Sequence, residues 1–220
     1  TIRFLLSNLY DFDHQQEVSL DSRVEIDIWI LKEAEKLQNE IIEDYSNYEF
    51  HLVYQKILNF CTNELGSFYL DILKDRLYTS KKSGIARISA QATIKSLLDK
   101  LLLWIAPILS FTAEEAFREF YKDKKSIFLE SFSSAQEDIS LTLDDDSWKV
   151  LNEIKIEANK LLEEKRNDGI IGSSLDAEVK IFCNSETFLR LSPCIDELKF
   201  LLIVSDASLE VADDDGQSSI

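Results

Sequence analysis

Glycine, proline and methionine are scarce in this chain: its 220 residues contain five Gly, two Pro and no Met. Gly and Pro supply the backbone conformations of tight turns, so their scarcity disfavours turn-rich all-β architectures and favours long helices. No apolar run approaches the roughly 18 residues of a membrane span, and we expect no membrane partner. Because the chain opens on Thr1 and lacks Met, we expect it to be a segment of a larger protein.

Cysteine is too sparse to form a recognisable covalent or metal framework. Cys61, Cys183 and Cys194 are odd in number, widely spaced and never arranged as C-x-x-C. This pattern argues against a disulfide scaffold and a zinc knuckle, and it favours a reducing, cytoplasmic compartment. The sequence also lacks a Gly-rich phosphate loop and the H-E-x-x-H and G-x-S-x-G signatures. We therefore assign this segment no catalytic residue, no metal ligand and no cofactor.

Positive charge is deficient overall but concentrated in one region. Lys and Arg number 24 against 41 Asp and Glu, for a net charge of −17, which disfavours non-specific nucleic-acid binding. Residues 71–100 nevertheless hold seven bases against three acids, a local charge of +4. The bases of this basic island are Lys74, Arg76, Lys81, Lys82, Arg87, Lys95 and Lys100. The basic island is either a solvated surface or a face that attracts an anionic partner.

The segment FYLDILKDRLY (68–78) places one charge of the basic island in an unexpected position. At 100° per residue its apolar side chains form one broad arc, and Lys74 and Asp71 fall on the opposite arc, where they can pair at i,i+3. Arg76 projects from the apolar side. A cation there needs either a carboxylate from a neighbouring helix or an open groove. Arg76 is therefore either an architectural brace or a contact for an anionic partner.

Apolar periodicity predicts a series of helices in residues 1–132. The predicted helices span about 1–10, 22–45, 48–78, 85–105 and 112–121. Gly66 marks a break or a close helix contact within the third, and Pro107 ends or kinks the fourth. Capping boxes are predicted from the patterns Ser22-x-x-Glu25 and Thr112-x-x-Glu115. Consecutive long helices of this kind favour an antiparallel helical bundle.

The last third of the chain has a different pattern. Residues 133–147 are polar and acidic and are predicted to be a linker. A helix then starts near Trp148 and is closed by Gly169 at the C′ position. Period-two alternation predicts a strand at about 177–183, followed by a short helix near 186–191 and a second strand near 200–204. The predicted class is mainly α: an antiparallel helical bundle (1–132) followed by a small α+β unit (148–220).

Six motifs distributed along the chain are TIRFLLSNLYDFD (1–13), DIWILKEAEKL (27–37), FYLDILKDRLY (68–78), ARISAQ (86–91), APILSFTAEEAF (106–117) and IGSSLDAEVKIF (171–182). Together they resemble the carboxy-terminal anticodon-binding region of bacterial isoleucyl-tRNA synthetases, which are class I aminoacyl-tRNA synthetases. Pieces such as APILSFTAEE also occur in the valyl, leucyl and methionyl enzymes. The KDRLY run after YLD is the feature that indicates the isoleucyl member.

The resemblance implies a helical bundle that packs on the anticodon stem and loop of isoleucine tRNA, followed by a small junction unit. The implied partners are that tRNA and the remaining domains of the same polypeptide, in a monomeric cytoplasmic enzyme. The full-length family enzyme charges its tRNA with ATP and Mg, but the HIGH and KMSKS signatures are absent here, so the segment alone should be inactive. Many bacterial members end in a four-cysteine zinc module. Cys183 and Cys194 do not match its paired spacing, and we expect the chain to stop before it.

Within the basic island, Lys81, Lys82 and Arg87 are the stronger candidates for phosphate contact, since we expect them in or beside an exposed loop. Lys74 and Arg76 are the remaining RNA-binding candidates. Trp104 is either a core residue or a base-stacking platform, and its Leu-rich surroundings favour the core. A competing hypothesis is an acidic helical protein-interaction scaffold with no RNA ligand, in which the acidic surface receives basic partners.

Overall fold

A computed structural model describes residues 1–12, 23–132 and 143–212. The chain divides into two compact units, Thr1–Ile139 and Ser140–Ile220. The first is helical and the second combines helices with a small parallel sheet, so the predicted fold class is confirmed. The predicted domain boundaries at 132 and 148 stay a prediction. Ser22 of the first predicted capping box and most of the predicted linker lie outside the described residues.

The first unit consists of helices that follow one another along the chain. They are α1 (Ile2–Ser7), α2 (Glu25–Ser46), α3 (Phe50–Phe60), a π-helical segment (Cys61–Tyr69), α4 (Leu70–Thr79), α5 (Ile85–Ile105), α6 (Ser110–Phe120) and a 3-10 turn (Ile127–Leu129). Helix α5 lies where its periodicity predicts it. Helix α2 packs on α3 and α5, α4 packs on α5, and α5 packs on α6.

The bundle runs up, down, up and down, with α2 and α5 parallel to each other. Hydrogen bonds join Ser89 to Asp27 near the start of both helices and Trp104 to Gln38 further along. The chain from α3 to α4, which follows α2 and precedes α5 in the sequence, runs in the opposite direction to both. Trp104 is fully buried, and its ring meets Phe60 edge-on at 5.6 Å between ring centroids. Trp104 is therefore a core residue, as its Leu-rich surroundings predict.

The predicted third helix is continuous but changes its winding in the middle. Between α3 and α4, the segment Cys61–Tyr69 is a π-helix of nine residues. A Cβ atom at Gly66 would lie 2.9 Å from the carbonyl oxygen of Cys61, closer than a side chain normally tolerates. Gly66 thus marks a change of winding within one continuous helix, and its close contact is with the backbone of its own helix rather than with a neighbouring helix. π-helical segments of this kind are rare and often occur at functional sites.

The start of α6 differs from its prediction. The helix begins at Ser110 after the N-cap residue Leu109, with no side-chain cap, so Thr112 lies inside the first turn. The capping box predicted for Thr112 and Glu115 is therefore wrong. The physical reason is a tight backbone turn: the Leu109 N–H donates to the carbonyl of Ile105 at 2.7 Å, which starts the next helix two residues early.

The second unit combines three α-helices with two strands in its described residues. The elements are α7 (Asp145–Asn167), a 3-10 turn (Ser174–Asp176), β1 (Glu178–Cys183), α8 (Ser185–Leu191), a 3-10 segment (Ser192–Glu197), α9 (Leu198–Leu202) and β2 (Asp206–Val211). Strands β1 and β2 pair in parallel, with Ile181 opposite Leu209. Gly169 follows α7 with φ of 72°, as its predicted C′ position requires.

Two expectations for the second unit need correction. The second strand predicted near residues 200–204 is wrong, because those residues lie mostly in α9 and β2 begins at Asp206. A short apolar run such as FLLIV has no periodicity that distinguishes a buried strand from a buried helix. The acidic residues assigned to the end of the linker instead start α7: the Asp144 carboxylate accepts the Ser147 N–H at 2.8 Å. Acidic groups are favourable there because of the helix dipole.

Candidate nucleic-acid interface

Arg76 is fully buried in the centre of the first unit, where it binds Asp27 of α2. Its Nη1 and Nη2 donate to the two carboxylate oxygens of Asp27 at 2.8 and 2.7 Å. Nη2 also donates to the carbonyl of Ala86, the second residue of α5, at 2.7 Å. Arg76 thus joins α4, α2 and α5. The brace hypothesis is confirmed, and the RNA-contact alternative for Arg76 is corrected because the guanidinium has no exposed surface.

Asp27 accepts two further hydrogen bonds in the same buried cluster. The Tyr69 hydroxyl donates to Oδ1 at 2.7 Å and the Ser89 hydroxyl to Oδ2 at 2.5 Å. Burial and the Asp27 charge raise the pKa of Tyr69 well above its ordinary value, so this hydroxyl keeps its proton. A buried charge is tolerated when it is paired and hydrogen-bonded, and Asp27 meets both conditions.

Arg87 lies beside the exposed loop, as expected, but its side chain is buried, which removes it as a candidate for phosphate contact. Its Nη2 donates to both carboxylate oxygens of Asp11 at 3.0 Å, and its Nε donates to the carbonyl of Leu77 at 3.2 Å. Gln91 donates to Asp11 as well, at 2.8 Å. Burial raises the pKa of Asp11, but the hydrogen bonds from Arg87 and Gln91 lower it by more. The net result is a pKa below the ordinary value. Arg87 therefore holds the chain around Asp11 against α5 rather than facing solvent.

The exposed part of the basic island is a loop between α4 and α5. Lys81 and Lys82 are exposed, and Lys82 lies 3.7 Å from Asp11 with 79% of its side chain accessible. The Gly84 N–H donates to the carbonyl of Lys81 at 2.8 Å, which closes the turn immediately before α5. Lys74 lies on α4 and is also exposed. It pairs with Asp71 at 2.9 Å, which is the predicted i,i+3 pair. We call Lys74, Lys81 and Lys82 the lysine surface.

The lysine surface is anchored by the two buried arginines. Arg76 ties the end of α4 to the start of α5 through Ala86, and Arg87 ties α5 back to Leu77 of α4. The loop between the two helices is therefore held at both ends. Its two lysines precede the N-terminus of a 21-residue helix, where the helix dipole adds positive potential. This arrangement suits weak, exposed contacts to phosphate groups.

A second group of basic residues lies in the last turn of α6 and just after it, and was missed in the sequence interpretation. Arg118, Lys122, Lys124 and Lys125 lie within eight residues of each other, and the YKDKK run (121–125) was a usable signal. Lys124 is partly exposed, pairs with Glu130 at 2.8 Å and lies over the ring of Tyr121 at 4.7 Å. Of these basic residues, Lys124 lines a cleft on the side of α5.

The described residues contain no group of three or more His, Cys, Asp and Glu side chains that could hold a metal ion. Cys183 and Cys194 are buried, and burial raises the pKa of the Cys183 thiol. Among the helices that the structure describes, none is both long enough and apolar enough to cross a lipid bilayer.

Comparison with known proteins decides the family. The family described as the anticodon-binding domain of tRNA ligase matches residues 27–181. The chain belongs to this family. The isoleucine–tRNA ligase of Coxiella burnetii (strain CbuG_Q212) is 45% identical over 212 residues, which are 95% of this chain and 23% of that protein. The motif resemblance is thereby confirmed.

Relatives of this anticodon-binding domain from other bacteria give the same result. The isoleucine–tRNA ligase of Legionella pneumophila (strain Corby) is 44% identical over 94% of the chain and 22% of that protein. The isoleucine–tRNA ligase of Shewanella sp. (strain W3-18-1) is 42% identical over 95% of the chain and 23% of that protein. The anticodon-binding domain described here thus spans less than a quarter of the length of these curated relatives.

Proposed function

We propose that this chain is the tRNA-binding segment of an isoleucine–tRNA ligase and that it binds the anticodon stem and loop of isoleucine tRNA. The observation that carries the proposal is the lysine surface, in which Lys74 lies on α4 and Lys81 and Lys82 lie on a loop held by buried arginine pairs. The family match and the isoleucine relatives support the identity of the RNA.

The charge distribution supports this assignment on physical grounds. Phosphate contacts supply sequence-independent affinity, and each one releases counterions. On a chain of net charge −17, a localised lysine surface limits RNA binding to one face, because like-charge repulsion opposes binding elsewhere. Such a domain holds its RNA in register without retaining other RNA. Recognition of the anticodon itself then depends on groups that touch bases.

The test is the binding of a synthetic anticodon stem–loop of isoleucine tRNA to the full 220-residue chain, measured by fluorescence anisotropy at several salt concentrations. The variant K81A/K82A should bind more weakly and reduce the slope of log affinity against log salt by about 1–2. The matched control K160A/K180A removes two exposed lysines from the second unit and should behave like wild type. Equal losses of RNA affinity in both variants would show that the lysine surface acts only through the net charge of the chain.

We propose further that the parent polypeptide charges isoleucine tRNA with ATP and Mg, in the cytoplasm and as a monomer, and that any zinc lies in a module outside this chain. The segment alone should show no isoleucine-dependent exchange of pyrophosphate into ATP. K81A/K82A in the full-length enzyme should raise the KM for tRNA and leave that exchange intact. An unchanged KM for tRNA in this variant would show that the lysine surface is not part of the tRNA interface.

An acidic protein-interaction scaffold is the second candidate, and one observation favours it. Phe111 is 93% exposed at the start of α6, and Leu109, two residues earlier, is also exposed. Exposed apolar side chains grouped in one region of a protein surface are typical of protein contacts. Retention of a defined protein by wild-type chain after nuclease treatment, and its loss in F111S, would favour the scaffold over the RNA-binding segment.

A further inference from the structure

A cleft of about 490 Å³ opens on the side of the first unit. Its lining comes from α2, α5, α6 and the segment 121–131 that follows α6. Small-molecule sites in proteins commonly have volumes of roughly 300–1,000 Å³, so this cleft is large enough for one nucleotide. Every lining residue belongs to the described part of the first unit.

One wall of the cleft is aromatic. Tyr121 packs against Phe117 with ring centroids 4.9 Å apart, and both rings line the cleft. The ammonium of Lys124 lies 4.7 Å from the centroid of the Tyr121 ring and is tied to Glu130 at the surface. A flexible lysine therefore covers the ring. Stacking of a nucleobase on an aromatic ring is generally stronger than an exposed cation–π contact, so a base can replace the ammonium there.

The polar part of the lining adjoins the aromatic wall and is electrically balanced. The Tyr121 hydroxyl donates to Asp99 Oδ1 at 2.5 Å, and Lys95 pairs with the other oxygen at 2.9 Å. Lys100 pairs with Glu35 at 2.5 Å. Each lysine of the cleft thus has a carboxylate partner, which disfavours a bare anion as the ligand. A lysine ammonium has three donor hydrogens and a carboxylate has about four acceptor positions, so donors and acceptors remain for a base edge.

The cleft also lies within reach of the lysine surface along one helix. Ile88, Gln91, Lys95 and Asp99 follow one another at spacings of three, four and four residues, which places them on one face of α5. The first two line the hollow beside Lys82, and the last two line the cleft. From Ile88 to Asp99 the helix rises about 16 Å. One RNA stem–loop can therefore contact both places.

We propose that this cleft binds one unpaired nucleotide of an RNA loop, with its base stacked on Tyr121 in place of the Lys124 ammonium and its edge hydrogen-bonded to Asp99. Unpaired RNA bases are characteristically recognised by stacking on aromatic side chains combined with hydrogen bonds to their edges. The inference rests on the proposed function, because it takes RNA as the ligand, and it adds a base-binding site to the phosphate-binding lysine surface.

The direct test is a nuclear magnetic resonance titration of the full chain with AMP, CMP, GMP and UMP, one at a time, beside inorganic phosphate at equal concentration. At least one nucleotide should shift the backbone amide signals of Ser96, Asp99 and Tyr121, and phosphate should not. An equal response to phosphate would show anion binding and overturn the proposal. So would the absence of any response at millimolar nucleotide.

Two substitutions at one position separate stacking from fold stability. Y121L removes the ring and should abolish the nucleotide response, whereas Y121F keeps the ring and should retain it. L103W, which narrows the cleft without removing a polar side chain, replaces Y121L if circular dichroism shows that Y121L is unfolded. Retention of the response by the folded leucine variant, or by L103W, would contradict the proposal.

The anticodon stem–loop distinguishes this inference from the proposed function. Y121L should weaken stem–loop binding by about 5-fold to 100-fold, the range for loss of one stacked base. If wild type does not bind the stem–loop, the proposed function fails, and the nucleotide titration alone decides whether the cleft binds nucleotides. If K81A/K82A weakens binding and Y121L does not, the proposed function stands and this inference is wrong.

Discussion

Arg76 of α4 and Asp27 of α2 form a bidentate ion pair in which neither side chain is accessible to solvent. The pair crosses 49 residues of sequence and is extended by Tyr69, Ser89 and the backbone of Ala86. It connects the three helices that position the lysine surface. Removing one member of a buried pair leaves the other charge uncompensated, which costs much more than loss of a surface pair.

We therefore expect R76M to lower the free energy of unfolding by about 3–5 kcal/mol. The matched substitution K74M, two residues earlier, breaks the exposed pair with Asp71 and should cost less than about 1 kcal/mol. Urea denaturation followed by circular dichroism measures both. Similar losses in the two variants would show that the buried pair contributes no more than a surface pair.

Asp11 should contribute to the acid sensitivity of the first unit. Its pKa is lower in the folded chain than its ordinary value of 3.8, because the hydrogen bonds from Arg87 and Gln91 outweigh the opposing effect of burial. The stabilisation is therefore fully present above about pH 4 and is lost as the pH falls through the folded pKa.

The substitution D11N removes this titration, so the stability difference between wild type and D11N should shrink as the pH falls below 4. Thermal denaturation from pH 2 to pH 6 measures the difference. D71N, which changes an exposed carboxylate, should follow the wild-type curve. A constant difference between wild type and D11N across this range would contradict the assignment.

Gly66 should not tolerate a side chain despite its helical position. In an ordinary helix, Gly to Ala is stabilising by about 1 kcal/mol. In the π-helical segment, a Cβ at this position meets the Cys61 carbonyl at 2.9 Å, and overpacking typically costs about 1–3 kcal/mol. We expect G66A to be destabilising in urea titration. S67A, at the adjacent exposed position, is the control, and a gain in stability for G66A would show that the backbone relaxes.

Tyr48 occupies a position after α2 where the backbone favours glycine. Its φ is 59°, and the Glu49 N–H donates to the Asp44 carbonyl, as in a Schellman motif. This conformation destabilises a residue other than glycine by about 1–2 kcal/mol. The exposed Tyr48 side chain buries too little surface to offset that cost. We expect Y48G to raise the melting temperature.

Gly169 provides the opposite comparison, because it adopts the same conformation after α7 with φ of 72°. G169A should destabilise the second unit by about 1 kcal/mol, although no atom of the described residues lies within 4 Å of the added Cβ. Calorimetry of the two variants checks the pair. A melting temperature unchanged by both substitutions would mean that neighbouring residues absorb the backbone strain.

Local patterns in the sequence determined most helix positions and the family. Helix α5 and the C′ glycine at 169 depend on periodicity and backbone preference within a few residues, so they were predictable. The run FLLIV was not, because a short apolar segment fits a buried helix and a buried strand equally well.

Tertiary structure alone decided which arginines face solvent. Arg76 and Arg87 lie in the same basic island as Lys81 and Lys82, and local charge cannot distinguish them. The carboxylates that pair with them, Asp27 and Asp11, are 49 and 76 residues away in the sequence. Burial of a guanidinium depends on such distant partners. Local composition could therefore locate the basic island, but only the packing of the helices determined that its two arginines are buried and that Lys81 and Lys82 are exposed.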